Sequence, residues 1–343
     1  MTSGLIIPAA GRGARHSEAP LHIALVNNMP DSALLWTERQ YHRLLAAAAG
    51  DRSVRLSLFS LPEVRRGEQA ANHIRQRYED FSALWDTPVD GMIVTGMPPR
   101  AACLKDEPYW PKLAQLVEWA EEHTLSTVWS CLAAHAAVLH LDGIARRLLP
   151  RKLSGLYECV RTTDHLLFSG APARWRVPHS RYNELPEEDL AAAGYRMLSA
   201  SAAAGADIFC KERGSLFLFL QGHPEYDASA LLREYRRDVA AYLALRSETY
   251  PYLPCAYFDR PEAAAFRGFR RRALAHRNPD LLKEFPAAAI ELRHAQSWHG
   301  LAIGLYRNWL GYIARGRSLI RAPLSPVAVA SQSALVSELR GGT

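Results

Sequence analysis

From Leu21 onward, short apolar runs alternate with longer stretches in which apolar residues recur every three or four positions. That alternation is the signature of β-α-β units building a parallel sheet flanked by helices. The runs 21–26, 54–59 and 91–94 predict the first strands. Thr37-Glu38-Arg39-Gln40 reads as a helix start, with Thr37 as cap, Gln40 completing a capping box and Gly50 just past the helix end. Residues 109–123 place Leu113, Leu116, Val117 and Ala120 at helical spacing and lead into the apolar run 126–130. Beyond it, residues 152–161, 174–177, 195–199, 208–211 and 215–220 predict a denser set of strands joined by short turns, an antiparallel extension of the sheet. Helices are expected over 228–246 and 301–313. The pattern divides the chain into an N-terminal arm (1–20), one α/β domain (21–315) and a tail (316–343) with no sustained period, expected to be loosely ordered.

Composition narrows the class. With 343 residues, 48% hydrophobic and 22% charged, the chain can bury a large core. Its five cysteines (Cys103, Cys131, Cys159, Cys210, Cys255) show no C-x-x-C spacing, which points to reduced thiols and a cytoplasmic protein, with no metal site expected. No run approaches the roughly 18 apolar residues that span a bilayer, so neither membrane nor export is indicated. The formal charge of +6 is dispersed except around Arg267-Gly268-Phe269-Arg270-Arg271-Arg272. A solvated basic face is expected there, not a nucleic-acid surface.

The candidate chemistry centres on Cys131, which lies between the apolar run 126–130 and an alanine-rich helical stretch. A thiol at a strand-to-helix turn sits near the positive end of a helix, which favours thiolate. Such a nucleophile needs a base, and the base needs an orienting group. Gln221-Gly222-His223-Pro224-Glu225 supplies both, directly after the buried run 216–220. A lone cysteine or histidine is more often a packing residue; Cys131, His223 and Glu225 at two strand ends point to chemistry. His135, one helical turn after Cys131, and His179 are rival bases, expected instead to be packing and pocket or loop residues. For an oxyanion, the amides of Leu132 and of Met97, which follows Gly96 at another strand end, are candidate donors.

The motifs occur in an order that resembles the homoserine O-acyltransferases of methionine biosynthesis. They are Asn27-Asn28-Met29-Pro30, Thr37-Glu38-Arg39-Gln40, Thr95-Gly96-Met97-Pro98, Tyr109-Trp110, Cys131, Lys152-Leu153-Ser154-Gly155, Pro178-His179-Ser180-Arg181, Gly222-His223-Pro224-Glu225-Tyr226-Asp227, Arg237-Asp238 and Asn308-Trp309-Leu310. The resemblance implies a class I glutamine amidotransferase-like (flavodoxin-like) fold, a mostly parallel sheet flanked by helices with a C-terminal extension. It also implies ping-pong acyl transfer from an acyl-CoA co-substrate, with no permanently bound cofactor. Cys131 would carry the acyl group, His223 would deprotonate the acceptor hydroxyl and Glu225 would orient the imidazole. Lys152, Ser180 and Arg237 would bind substrate, Arg237 being suited to a carboxylate. A homodimer is expected from the resemblance alone.

Some positions depart from the family pattern. Arg100 stands where succinyl-transferring members commonly have glycine and acetyl-transferring members glutamate. An arginine there would pair with a succinyl carboxylate, so succinyl-CoA is expected over acetyl-CoA. Leu132, His135 and Trp298-His299-Gly300-Leu301 also differ from the usual residues, and 260–297 is longer than the matching segment. These leave L-serine or another hydroxy amino acid as an alternative acceptor and a non-catalytic binding protein as an alternative function, while a Cys-His-Glu set on this fold also leaves glutamine hydrolysis as an alternative reaction.

Overall fold

The computed structural model describes residues 4–9, 19–286 and 298–321. In chain order its elements are β1 (Leu5–Ile7), β2 (Leu21–Val26), α1 (Asp31–Ala49), β3 (Val54–Phe59), α2 (Glu68–Arg77), β4 (Gly91–Thr95), α3 (Trp110–His123), β5 (Ser126–Ser130) and α4 (Leu132–Asp142). They continue with β6 (Arg147–Arg161), β7 (Arg174–Glu184), α5 (Glu187–Ala192), β8 (Arg196–Ser201), β9 (Gly205–Glu212), β10 (Leu216–Leu220), α6 (Ala230–Leu243), α7 (Arg260–Ala275) and α8 (His299–Arg321). All ten strands form one sheet in the order β1-β3-β2-β4-β5-β10-β9-β8-β6-β7.

The sheet has two halves. β3, β2, β4, β5 and β10 are parallel, each buried on both faces, as crossovers that lay helices on both sides require. Alternate residues feed different cores: Ile23, Leu25, Ile93 and Val128 pack with α1 and α8, whereas Ala24, Val26, Val94 and Trp129 pack with α3 and α4. From β10 outward every pairing is antiparallel. The β6–β7 ribbon joins β8 only through Val160↔Ala200 and Arg161↔Ser199. The amide of His223 donates to the carbonyl of Pro178 at 2.8 Å, so the ribbon lies against the segment that follows β10.

α8 covers the parallel half. Its Trp309 is fully buried and donates to the Ser126 hydroxyl at 2.9 Å, and a Cβ on Gly91 would meet Ile313 Cδ1 at 2.6 Å. Glycine at 91 is what lets this helix approach the sheet. α6 and α7 pack together around Tyr235, Phe266 and Phe269, forming a separate cluster beside the sheet.

Several elements differ from the pattern-based expectation. α1 starts six residues before Thr37, with extended Pro30 at its N-cap and Asp31 in the first turn; Thr37 is buried inside the helix and caps nothing. A capping box does occur, at Asp259 and Glu262 at the start of α7. In the N-terminal arm, Leu5–Ile7 forms a strand antiparallel to β3. Residues 316–321 of the expected tail continue α8, and the rest of the tail lies outside the described residues. No described helix is long and apolar enough to cross a membrane.

Candidate functional site

Three neighbouring parallel strands end at one edge in matched register: Thr95 of β4 and Leu220 of β10 both lie opposite Ser130 of β5. The residues just beyond them are Gly96-Met97, Cys131 and the segment from Gln221 to Glu225. Gly96, Met97, Cys131, His223 and Glu225 line one cavity of about 520 Å³. Carboxyl ends of parallel strands are where α/β sheets hold their ligands.

Cys131 has φ 51° and ψ −111°, a conformation that L-residues rarely adopt. It is held there from both sides: its amide donates to the Leu220 carbonyl at 2.6 Å, and its carbonyl accepts from His135 in the first turn of α4. Observed strain of this kind, fixed by its surroundings, is typical of residues that do chemistry. Next to it, a Cβ on Gly96 would lie 2.9 Å from the Leu132 amide nitrogen, so only glycine allows the β4 loop to close on the helix start. Met97 and Leu132 thereby flank the thiol on one rim, and the Leu132 amide, in the first turn, has no acceptor within its helix.

His223 Nδ1 lies 2.7 Å from Glu225 Oε1, and its ring stacks on Tyr226 at 4.2 Å. Burial alone would lower the imidazole pKa; the Glu225 carboxylate and the Cys131 sulfur outweigh it and hold it well above the ordinary value. The second Glu225 oxygen is buried beside Tyr41 and Tyr306, and burial together with that negative charge pushes both phenols well up. The imidazole is thus hydrogen-bonded to the carboxylate and charge-coupled to the thiol.

The opposite wall comes from the antiparallel half and α6. Lys152 Nζ on β6 is 2.7 Å from Asp238 and 3.6 Å from Glu234. The Ser180 hydroxyl on β7 donates to Glu234, the Tyr226 hydroxyl donates to the same carboxylate at 2.5 Å, and Arg237 pairs with Asp238 at 2.9 Å. Burial opposes the charge on Glu234, but Lys152 and Arg237 keep its pKa below the usual carboxylate range. Lys152, Ser180 and Arg237 therefore do converge, within a cluster that compensates its own charges. Sequence reasoning missed Glu234. Its spacing of three from Arg237 and four from Asp238 on one helix face was the available signal.

The rival histidines take other roles. His135 is buried, with Nε2 3.1 Å from Gln221 Oε1, and burial pushes its pKa down to about 3. Gln221 Oε1 also accepts from the Leu185 amide, so the bonding network makes His135 Nε2 the donor and the ring neutral. His179 is fully buried within β7, not in a loop, 3.4 Å from Asp207 Oδ1. Cys159, His179 and Asp207 bring their donor atoms within 4.8 Å of one another, a buried set beneath Gly222, whose Cβ would lie 2.6 Å from Asp207. Among the described residues this is the only group of three donors compact enough for a metal ion, a possibility that spacing did not reveal.

Arg100 does not join the cavity. Its side chain is exposed, and its amide, like that of Ala101, donates to Glu107. The arginines that line the cavity are Arg146, Arg181 and Arg237. A second cavity of about 620 Å³ lies between β1, α1 and α2, away from the cysteine.

Comparison with known proteins agrees with this architecture. The family model described as homoserine O-succinyltransferase matches residues 2–318. The homoserine O-succinyltransferase of Bradyrhizobium japonicum is 48% identical over 315 residues, covering 92% of this chain and 96% of that protein. Its namesake from Methylorubrum extorquens is 47% identical over 294 residues, covering 86% and 87%. Among solved structures, a glutamine amido transferase from Methylobacillus Flagellatus is similar with a TM-score of 0.50 at 14% identity, covering 85% of this chain and 94% of that one. At that identity the likeness is one of fold.

Proposed function

The chain belongs to the homoserine O-succinyltransferase family, and on that premise we propose that it transfers a succinyl group from succinyl-CoA to the hydroxyl of homoserine through an acyl-cysteine intermediate, in methionine biosynthesis. In the first half-reaction the Cys131 thiolate attacks the thioester carbonyl. The amides of Met97 and Leu132 receive the developing oxyanion. Collapse expels the CoA thiolate, which takes its proton from His223, and leaves succinyl on sulfur. In the second half-reaction His223 removes the proton of the homoserine hydroxyl, the alkoxide attacks the acyl carbonyl, and Cys131 leaves as thiolate. Glu225 orients the imidazole throughout and stabilises its charged form.

Lys152, Ser180 and Arg237 bind the acceptor in this reading. Their cluster suits an amino acid, because a zwitterion offers a carboxylate to the cations and an ammonium to Glu234 and Asp238. Entry then exchanges ion pairs and leaves no buried charge uncompensated. Glutamine hydrolysis would use the same thiol and base; the identity of the relatives supports acyl transfer and homoserine instead.

The observation that carries the proposal is Cys131, held at positive φ in the cavity and coupled to the His223–Glu225 pair. The test is intact-mass spectrometry after mixing with succinyl-CoA without acceptor. One succinyl adduct should form, vanish on adding homoserine, and be absent in Cys131→Ala. No adduct on the wild-type protein would overturn the mechanism.

A further inference from the structure

Two arginines that line the cavity hold buried N–H groups that meet no acceptor among the described residues. Arg146, in the link between α4 and β6, donates Nη2 to the Ala102 carbonyl at 3.3 Å. Its Nη1 is buried and meets no acceptor among the described residues. Arg181 on β7 is 3% exposed; its Nη1 donates to the Asn183 carbonyl at 2.8 Å and its Nη2 to that of Ala204, while Nε is buried and likewise meets no described acceptor. Both arginines line the cavity together with His135, and both positive charges act on its buried ring. The carboxylate nearest in influence to Arg146 is Glu107, whose Oε1 is already taken by the amides of Arg100 and Ala101. Buried, charged N–H groups left without acceptors cost free energy, and an anionic group of a ligand removes that cost.

The two arginines differ in what they have left to offer: both Nη groups of Arg181 are already bonded to carbonyls, whereas Arg146 keeps Nη1 without an acceptor among the described residues. An acyl donor with its reacting carbonyl at Cys131 and a second carboxylate a few bonds away would hold that carboxylate in the same cavity, which Arg146 and Arg181 also line. We propose, building on the acyl-transfer reading above, that Arg146, supported by Arg181, receives the free carboxylate of a dicarboxylic acyl-CoA and selects it over uncharged donors. Arg100 serves this pocket only through its backbone, by occupying Glu107.

The test compares kcat/KM for succinyl-CoA and butyryl-CoA, which replaces the terminal carboxylate with a methyl group, at saturating homoserine. In Arg146→Met, succinyl transfer should fall roughly 10- to 100-fold, in line with the loss of a charge-assisted hydrogen bond. Butyryl transfer should hold or rise. Arg146→Lys keeps the charge without the planar fork and should fall between the two, which preserves the test if the methionine variant folds poorly. Arg100→Ala should leave the donor ratio unchanged. Equal loss with both donors in the Arg146 variants, or no loss with either, would overturn the proposal while leaving the acyl-cysteine route intact. Failure of the wild-type protein to acylate Cys131 with either donor would instead sink the underlying reading.

Discussion

His135 shows how a single side chain sets a pH limit. In the folded chain its pKa lies at about 3 and in the unfolded chain near the ordinary 6.5, because burial disfavours the charged ring. Below pH 6.5 the unfolded state therefore binds a proton that the folded state refuses. Stability from this group is complete above 6.5 and is lost as pH falls toward 3, by up to about 1.4 kcal/mol per pH unit. At pH 5, His135→Gln should thus recover about 2 kcal/mol of the stability that the wild-type protein loses relative to pH 7. Urea unfolding of both proteins at the two pH values measures this; parallel losses would refute it. The residue also marks a limit of sequence reading. Its proximity to Cys131 in sequence made it a rival base, yet its Nε2 is committed to Gln221, a contact set by the β5–β10 pairing that local spacing does not reveal.

At the scale of elements, the candidate site depends on where strands stop. Three parallel strands end level with one another, and the close approach at Gly96 brings the β4 loop onto the start of α4. A Cβ there would meet Leu132 Cβ at 2.6 Å, so Gly96→Ala should push apart the two amides assigned to the oxyanion. Turnover should fall 100-fold or more with KM little changed, as expected when transition-state donors are displaced; steady-state kinetics reads the split. Strand and helix types were largely legible, because alternation and helical spacing report burial directly. Boundaries were less so. Thr37 looked like a cap because Ser/Thr-x-x-Gln is a local signature, but the helix is nucleated earlier, at Pro30-Asp31, and burial against the cavity accounts for Thr37. The β6–β7 ribbon was recognised as strand, whereas its return toward His223 rests on long-range bonding through Pro178 that no local pattern encodes.

The whole molecule is closed by its last described helix. α8 brings Trp309 onto β5 from almost 200 residues away in sequence, and with Tyr306, Leu310 and Ile313 it seals one face of the parallel half. Trp309→Ala removes a fully buried indole and leaves Ser126 without that donor. It should cost roughly 3–5 kcal/mol, visible as a lower urea midpoint, and a cost below about 1 kcal/mol would show that α8 is an accessory. That Cys131, His223 and Glu225 share one cavity was readable because each ends or follows a strongly apolar run. Arg146 and Glu234 were not, since a charged residue in a link or on a helix looks the same whether it faces water or a cavity.

The division of the sheet at β10 has a consequence for engineering. Cys131 and His223 follow strands of the parallel half, while Lys152 and Ser180 stand on a ribbon that pairs with its neighbouring strand only at one end. Remodelling the ribbon together with α6, which carries Glu234, Arg237 and Asp238, would thus alter that wall of the cavity while leaving Cys131 and His223 in place. The same seam is the natural crossover point for chimaeras that pair this nucleophile with another acceptor.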